Sequence, residues 1–178
     1  AGGFGPPGRG FESHRALSKL AFYFNEYSKN SMGIKNLVKL KEVTEKDANF
    51  LYEMLKERDS TINVTHKELP SFNKHLEFIK SDPYDAWYII EIESKQIGHI
   101  WLDNVDRIGF FTKKEFKGFG FIIPAFEKLK EIHPRKKYVG KLNPKNIEIQ
   151  NLLTKLKFVL KNTYPDYLLY EYVVDDVD

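Results

Sequence analysis

The sequence contains no cysteine. That excludes disulfides, thiolate metal sites and cysteine nucleophiles together, and it suits a cytoplasmic protein. No apolar run approaches the roughly 20 residues that a membrane-spanning helix needs. The first residues lack the basic start, apolar middle and small-residue cleavage site of a secretory signal. Neither Gly-x-Ser-x-Gly nor His-Glu-x-x-His occurs, so two common hydrolase signatures are missing. An excess of one charge is missing too. The formal net charge of the 178 residues is +3, and residues 1–36 account for all of it, with Arg9, Arg15, Lys19, Lys29 and Lys35 against Glu12 and Glu26. A neutral body argues against a general nucleic-acid binder, whose affinity rests on many phosphate contacts. Neither a nucleic acid nor a membrane is an expected partner.

What the chain does have is aromatic residues, fourteen Phe and ten Tyr, and length enough for one domain with a sizeable core. The opening AGGFGPPGRGFESHR is rich in Gly and polar residues and has no apolar period. Residues 1–31 read as a disordered or vector-derived leader, with a genuine leader packed on the body as the alternative. Met32 looks like a natural start, and 32–178 read as a single domain. NLVKLKEV alternates as a strand. Thr44 offers an N-cap with Asp47 three residues on, predicting a helix from Glu45 to about Arg58. Pro70-Ser71 opens a second helix carrying Phe72, Leu76 and Ile79 on one face. AWYIIEIE and QIGHIWLD form a hairpin about the turn Ser94-Lys95, and RIGFFT is the next strand. A glycine junction then leads into a helix to about Glu131. KYVGKL is a strand, NPKN a turn and IEIQNLLTKL a helix. FVLKNT and DYLLYEYVV close the chain. The order β-α-α-β-β-β-α-β-α-β-β predicts a mixed sheet flanked by helices, in the α/β or α+β class.

The junction KKEFKGFGFII carries the chemistry. Gly118 and Gly120 allow a ligand to approach the backbone. The helix after them presents amide N–H groups and a positive dipole end, a natural phosphate site, and Lys113, Lys114 and Lys117 add cations. A P-loop would need Gly-x-x-x-x-Gly-Lys-Ser/Thr, which does not occur. A dinucleotide fingerprint would need a third glycine near Ile123 and an early βαβ unit. By itself Gly-x-Gly also fits a tightly packed helix start.

From about Leu37 to Tyr172 the chain resembles a GNAT N-acetyltransferase. EFKGFG stands where that superfamily has Arg/Gln-x-x-Gly-x-Gly/Ala. NPKNIEIQNLLTKLKF resembles its second motif, an Asn turn followed by a helix ending in Leu-Gly-Phe. The upstream stretch is similar to the acceptor side of small bacterial members, including enzymes of surface-polysaccharide pathways and ribosomal-protein acetyltransferases. The resemblance implies a mostly antiparallel central sheet with a V-shaped opening between RIGFFT and KYVGKL, the fourth and fifth strands. Acetyl-CoA would lie there as co-substrate. Backbone groups of Phe110, Phe111 and Thr112 would pair with its pantetheine arm. The amides of Phe116, Lys117, Gly118, Phe119, Gly120 and Phe121 would cradle the pyrophosphate, and Asn143 and Asn146 would touch it from the other side. No metal is expected. The acceptor would be a primary amine, of a small molecule or amino-sugar nucleotide in preference to a protein N-terminus. An acidic acceptor groove beside the thioester would instead favour a polyamine or an aminoglycoside.

The sequence departs from the family pattern at four positions. Glu115 replaces the Arg or Gln before the loop, and is tolerable if it turns away or pairs with a lysine. Lys157 replaces the Gly of Leu-Gly-Phe, and is tolerable if the backbone there is not left-handed. Leu153 stands where many relatives have a Tyr that protonates the leaving thiolate. Arg107 stands where a Glu often serves as base. The candidate proton-transfer groups are therefore His66 in the acceptor loop, Asp103 and Asp106 before the fourth strand, and Tyr164 as a substitute acid. Turn formation is the competing reading for both aspartates, a surface histidine for His66 and a sheet-edge tyrosine for Tyr164. His99 reads as a strand histidine. Trp87, Tyr88 and Trp101 are candidates for core packing or an acceptor wall. If LLYEYVV lay exposed at a sheet edge it would need a partner, such as a second subunit in a homodimer. The alternative function is a non-catalytic acyl-CoA-binding or sensing module.

Overall fold

The computed structural model describes residues 36–59 and 68–174. The expected leader and His66 lie outside these residues. Seven strands form one sheet: β1 (Val38–Glu42), β2 (Ala86–Ile92), β3 (Lys95–Leu102), β4 (Arg107–Thr112), β5 (Lys137–Leu142), β6 (Val159–Thr163) and β7 (Leu168–Val173). Their order across the sheet is β1-β2-β3-β4-β5-β7-β6. Four helices flank it: α1 (Ala48–Lys56), α2 (Phe72–Lys80), α3 (Ile122–Ile132) and α4 (Ile147–Lys155). The element order is the one the periodicity predicts. The last strand, β7, is interior rather than an edge. The outer edge on that side is β6, exposed along its length.

Every neighbouring pair is antiparallel except β4 and β5, which are parallel and in register only at Arg107–Val139 and Ile108–Gly140. Beyond those pairs the two strands part while each stays paired on its other side, β4 to β3 and β5 to β7. The sheet therefore splays open between its fourth and fifth strands, as expected. Alternate residues of a strand direct their N–H and C=O groups to the same side. Val139 N–H donates to Asp106 C=O, and Lys113 N–H donates to Ile97 C=O. The even-numbered residues of β4 thus face β5, so Phe110 and Thr112 present their main chain to the opening.

The sheet has a core on each face because β2 is buried on both. Tyr88 and Ile90 join Ile100, Ala125, Phe126, Leu129 and Tyr138 beneath α3, while Ile89 joins Ala48, Leu51 and Ile79 beneath α1 and α2. Burying the Ile, Leu and Phe side chains among them contributes about 1.5–3 kcal/mol each. Asp47 locks the second core. It is 3% exposed, its carboxylate accepts from Thr44 N and Oγ1, and it also binds Lys41 Nζ at 2.7 Å and Gln96 Nε2 at 2.9 Å. Burial would raise its pKa, but these hydrogen bonds outweigh it and hold the carboxyl below its ordinary range. The predicted helix begins here as one 3₁₀ turn, Glu45–Asp47, before α1.

Two local readings shift. The β2–β3 turn is Glu93-Ser94, one residue earlier than read, with φ of 48° and 64°; two consecutive left-handed residues match the strand twist of a two-residue hairpin. Lys157 is left-handed, with φ 65°. It occupies the glycine position of a Schellman cap, Phe158 N–H donating to Leu153 C=O and Lys157 N–H to Thr154 C=O.

Candidate active site

A cavity of about 480 Å³ lies between the end of β4, the glycine loop and α4, on the side where β4 has parted from β5. Phe110, Phe111 and Thr112 form one side of it, and Phe116, Lys117, Gly118, Gly120 and Phe121 curve round its end, with Asn146 opposite. Gly118 and Gly120 have φ of 81° and 75°, a region that disfavours any side chain. A Cβ on Gly118 would meet no atom within 4 Å, because that side of the loop is the cavity. The loop delivers the chain into α3, whose first residues Ile122 and Ile123 also line the space. Pro124 lies in the first turn, where a missing N–H costs no helical hydrogen bond. The dipole end of an eleven-residue helix therefore faces a cavity of mixed charge, Arg58, Lys117 and Lys155 with Glu57, Asp59 and Glu148, where Lys117 lies 3.5 Å from Glu148. Glu115 forms a 3.7 Å pair with Lys95, which offsets the charge of the one carboxylate inside the loop.

Two of the residues expected at the cofactor do not line the cavity. Phe119 stacks on Phe121 with ring centres 5.8 Å apart. Asn143 builds the turn, its Oδ1 accepting from Lys145 N at 2.9 Å. Asn146 does line it and also caps α4, accepting from Ile149 N.

The proton-transfer candidates are spread apart. Asp103 is buried, and its carboxylate accepts from the amides of Val105 and Arg107 and from Arg107 Nε at 2.7 Å, the arrangement of a turn-forming aspartate. Asp106 is left-handed, φ 62°, and pairs with Arg135 at 3.0 Å. Tyr164 stacks on Tyr167 at 4.4 Å in the β6–β7 turn. None of the three lines the opening. Leu153 is 2% exposed and packs against Gly140, so this position of α4 holds core.

A second cavity, about 500 Å³, lies under α1 and α2 against β2 and β3. Four aromatic rings wall it. Tyr84 stacks on Trp101 at 4.5 Å and meets Trp87 edge-on at 5.1 Å, and Phe78 closes on both at about 6 Å. Trp101 reaches this position by lying over β4 at Gly109, where any Cβ would collide with the indole. Arg58 lines both cavities. Its guanidinium lies 5.7 Å from the Phe111 ring, and its charge reaches Tyr84, His75 and His99. Burial pulls the pKa of Arg58 down.

His75 and His99 are both buried here. Burial, then the Arg58 and His75 charges, pushes His99 down to about 3, and Trp87 Nε1 donates to its Nδ1. Burial is also the main cause that lowers His75, with Arg58 adding to it against a hydrogen bond to the Ala48 backbone. His75 Nε2 is buried with no hydrogen-bond partner. Sequence reasoning missed His75, Arg58 and Tyr84. His75 had a signal: it shares the α2 stripe of Phe72, Leu76 and Ile79, a polar ring among core positions. Arg58 and Tyr84 had none. Among the described residues no three His, Asp or Glu side chains gather as a metal site, and no helix is long and apolar enough to cross a membrane.

No protein-family model matches the chain, and no curated protein matches it. Solved structures do. A spermidine N-acetyltransferase from Vibrio cholerae, in complex with CoA and spermine, aligns at TM-score 0.66 and 16% identity over 78% of this chain and 96% of its own. The microcin self-immunity acetyltransferase MccE, in complex with acetyl-CoA and AMP, aligns at 0.65 and 16% over 80% and 95%. RimL, a ribosomal α-N-protein acetyltransferase in complex with coenzyme A, aligns at 0.64 and 14% over 78% and 95%. At such identities it is the fold that is shared.

Proposed function

We propose that this chain, which has the GNAT acetyltransferase fold, is an acetyl-CoA-dependent N-acetyltransferase acting on a primary amine. The observation that carries the reading is the parted β4–β5 pair. It offers the main chain of Phe110 and Thr112 to an extended ligand, as an exposed strand edge does, and it ends at two left-handed glycines and a helix N-terminus suited to a pyrophosphate. The amine nitrogen attacks the thioester carbonyl in a ternary complex. Main-chain donors in the opening stabilise the oxyanion. The C–S bond breaks, CoA leaves as thiolate, and the proton lost by the amine balances that charge. The acceptor in this reading is a small-molecule amine or an amino-sugar nucleotide.

Calorimetric titration with acetyl-CoA, CoA and ATP, followed by thiol release across a panel of amines, tests this. Binding of acetyl-CoA and CoA but not ATP, with turnover on some amine, is the expected result. No binding of acetyl-CoA at millimolar concentration overturns it. Leu153 in place of a hydroxyl-bearing residue favours a second reading, an acyl-CoA-binding module without turnover. Binding with no thiol release across the panel is its signature.

A further inference from the structure

Resting on the acetyltransferase reading, we propose that the cavity under α1 and α2 selects an acceptor amine built on a flat apolar ring and carrying an anionic group, a carboxylate or a phosphate. The ring requirement follows from the walls. Tyr84, Trp87, Trp101 and Phe78 pack on one another as a continuous aromatic wall of stacked and edge-on rings, and a planar group laid against that wall gains favourable ring contacts. The anion requirement follows from Arg58. It is a partly buried cation at the boundary with the acetyl-CoA cavity, and it makes no ion pair among the described residues. Buried charges are ordinarily paired, and a bidentate carboxylate or phosphate is the partner that a guanidinium matches best.

The remaining charges agree. Lys56 and Lys74 also line the cavity, against Glu68 alone, and Lys56 is satisfied by Glu53 at 2.7 Å. A polycationic amine meets repulsion here. A monoamine gains from the same field, because a nearby cation lowers its pKa and raises the fraction of free base that can attack. His75 lines the same cavity, but its Nε2 is itself buried without a hydrogen-bond partner among the described residues, so the ring adds wall rather than a free acceptor. Phe111, over which Arg58 lies, borders the acetyl-CoA cavity, so an amine anchored by Arg58 sits next to the opening.

The test compares four amines with acetyl-CoA present: L-phenylalanine, an aminonucleoside monophosphate, 2-phenylethylamine and spermidine. Turnover is followed by thiol release, and binding by quenching of Trp87 and Trp101, the two tryptophans of the chain. Loss of one charge-assisted contact corresponds to roughly a tenfold change in KM. The expected order places phenylalanine or the aminonucleotide at least that far below 2-phenylethylamine and spermidine, and the better of the two identifies the anion. At saturating acetyl-CoA, Arg58→Met should collapse the ratio between the preferred anionic amine and 2-phenylethylamine, and Arg58→Lys should restore part of that ratio. Preference for spermidine, equal loss on all amines in Arg58→Met, or no quenching by any of the four overturns the proposal. Acetyl-CoA titration of the same proteins separates the two claims. If acetyl-CoA binds and spermidine is preferred, only the acceptor assignment falls; if acetyl-CoA does not bind, the acetyltransferase reading falls.

Discussion

The indole of Trp101 occupies the space where a side chain on Gly109 would be, so that a Cβ there would collide with the ring. The two residues are register partners on β3 and β4. The missing side chain lets one wall of the second cavity lie across the strand that borders the opening. Gly109→Ala must push Trp101 aside and break its stack on Tyr84. Overpacking of this kind costs about 1–3 kcal/mol. A lower midpoint in urea, with a larger loss of amine binding than of acetyl-CoA binding, is the expected outcome.

Gly118 is the opposite case. A methyl group there meets no protein atom within 4 Å, but the residue has φ 81°. Gly118→Ala should cost about 1–2 kcal/mol of stability from the left-handed backbone. It should also weaken acetyl-CoA by about tenfold or more, since the methyl enters the space assigned to the pyrophosphate. Calorimetry beside a denaturation curve separates the two effects. Unchanged acetyl-CoA affinity would remove this loop from the binding site.

Lys157 holds a left-handed conformation at a helix end with φ 65°. Relieving it with Lys157→Gly should stabilise the protein by about 1 kcal/mol, allowing for the extra freedom that glycine gives the unfolded chain. A melting temperature a few degrees higher, with unchanged acetyl-CoA binding, is the expected result. A lower one would mean that the lysine side chain makes a compensating contact.

His99 makes stability fall in acid. Its folded pKa is depressed to about 3 against an ordinary 6.5, through burial, the Arg58 charge and His75. The unfolded chain therefore takes up the proton first. The stability contributed by neutral His99 is fully present above pH 6.5 and is lost as the pH falls through the window down to about 3. His75 is shifted in the same direction by burial. Melting temperatures across this range should decline, and His99→Gln, which keeps an acceptor for the Trp87 N–H, should flatten the decline. A variant as acid-sensitive as the parent would assign the effect to other groups, His75 first.

Local order determined most of the fold. RIGFFT and KYVGKL, short runs rich in aromatic and aliphatic residues, match β4 and β5 to the residue. Ser71 and Asn146 marked two helix starts through hydrogen bonds within three residues. The left-handed glycines marked the loop, because the conformational freedom of Gly118 and Gly120 is a property of the residues themselves. Such features depend on neighbours along the chain, and a sequence displays them. The second cavity depends on neighbours in space. Arg58 follows α1, His75 lies on α2, Tyr84 precedes β2 and Trp101 lies on β3, and none is distinctive alone. Only packing α1 and α2 onto the sheet buries two histidines around a cation and leaves one imidazole nitrogen without a partner. Trp87 and Trp101 were legible as candidate wall residues, but burial and the field of Arg58 are sums over the folded surroundings, which is why the rest of the second cavity had to wait for the tertiary structure while the glycine loop could be read from its own residues.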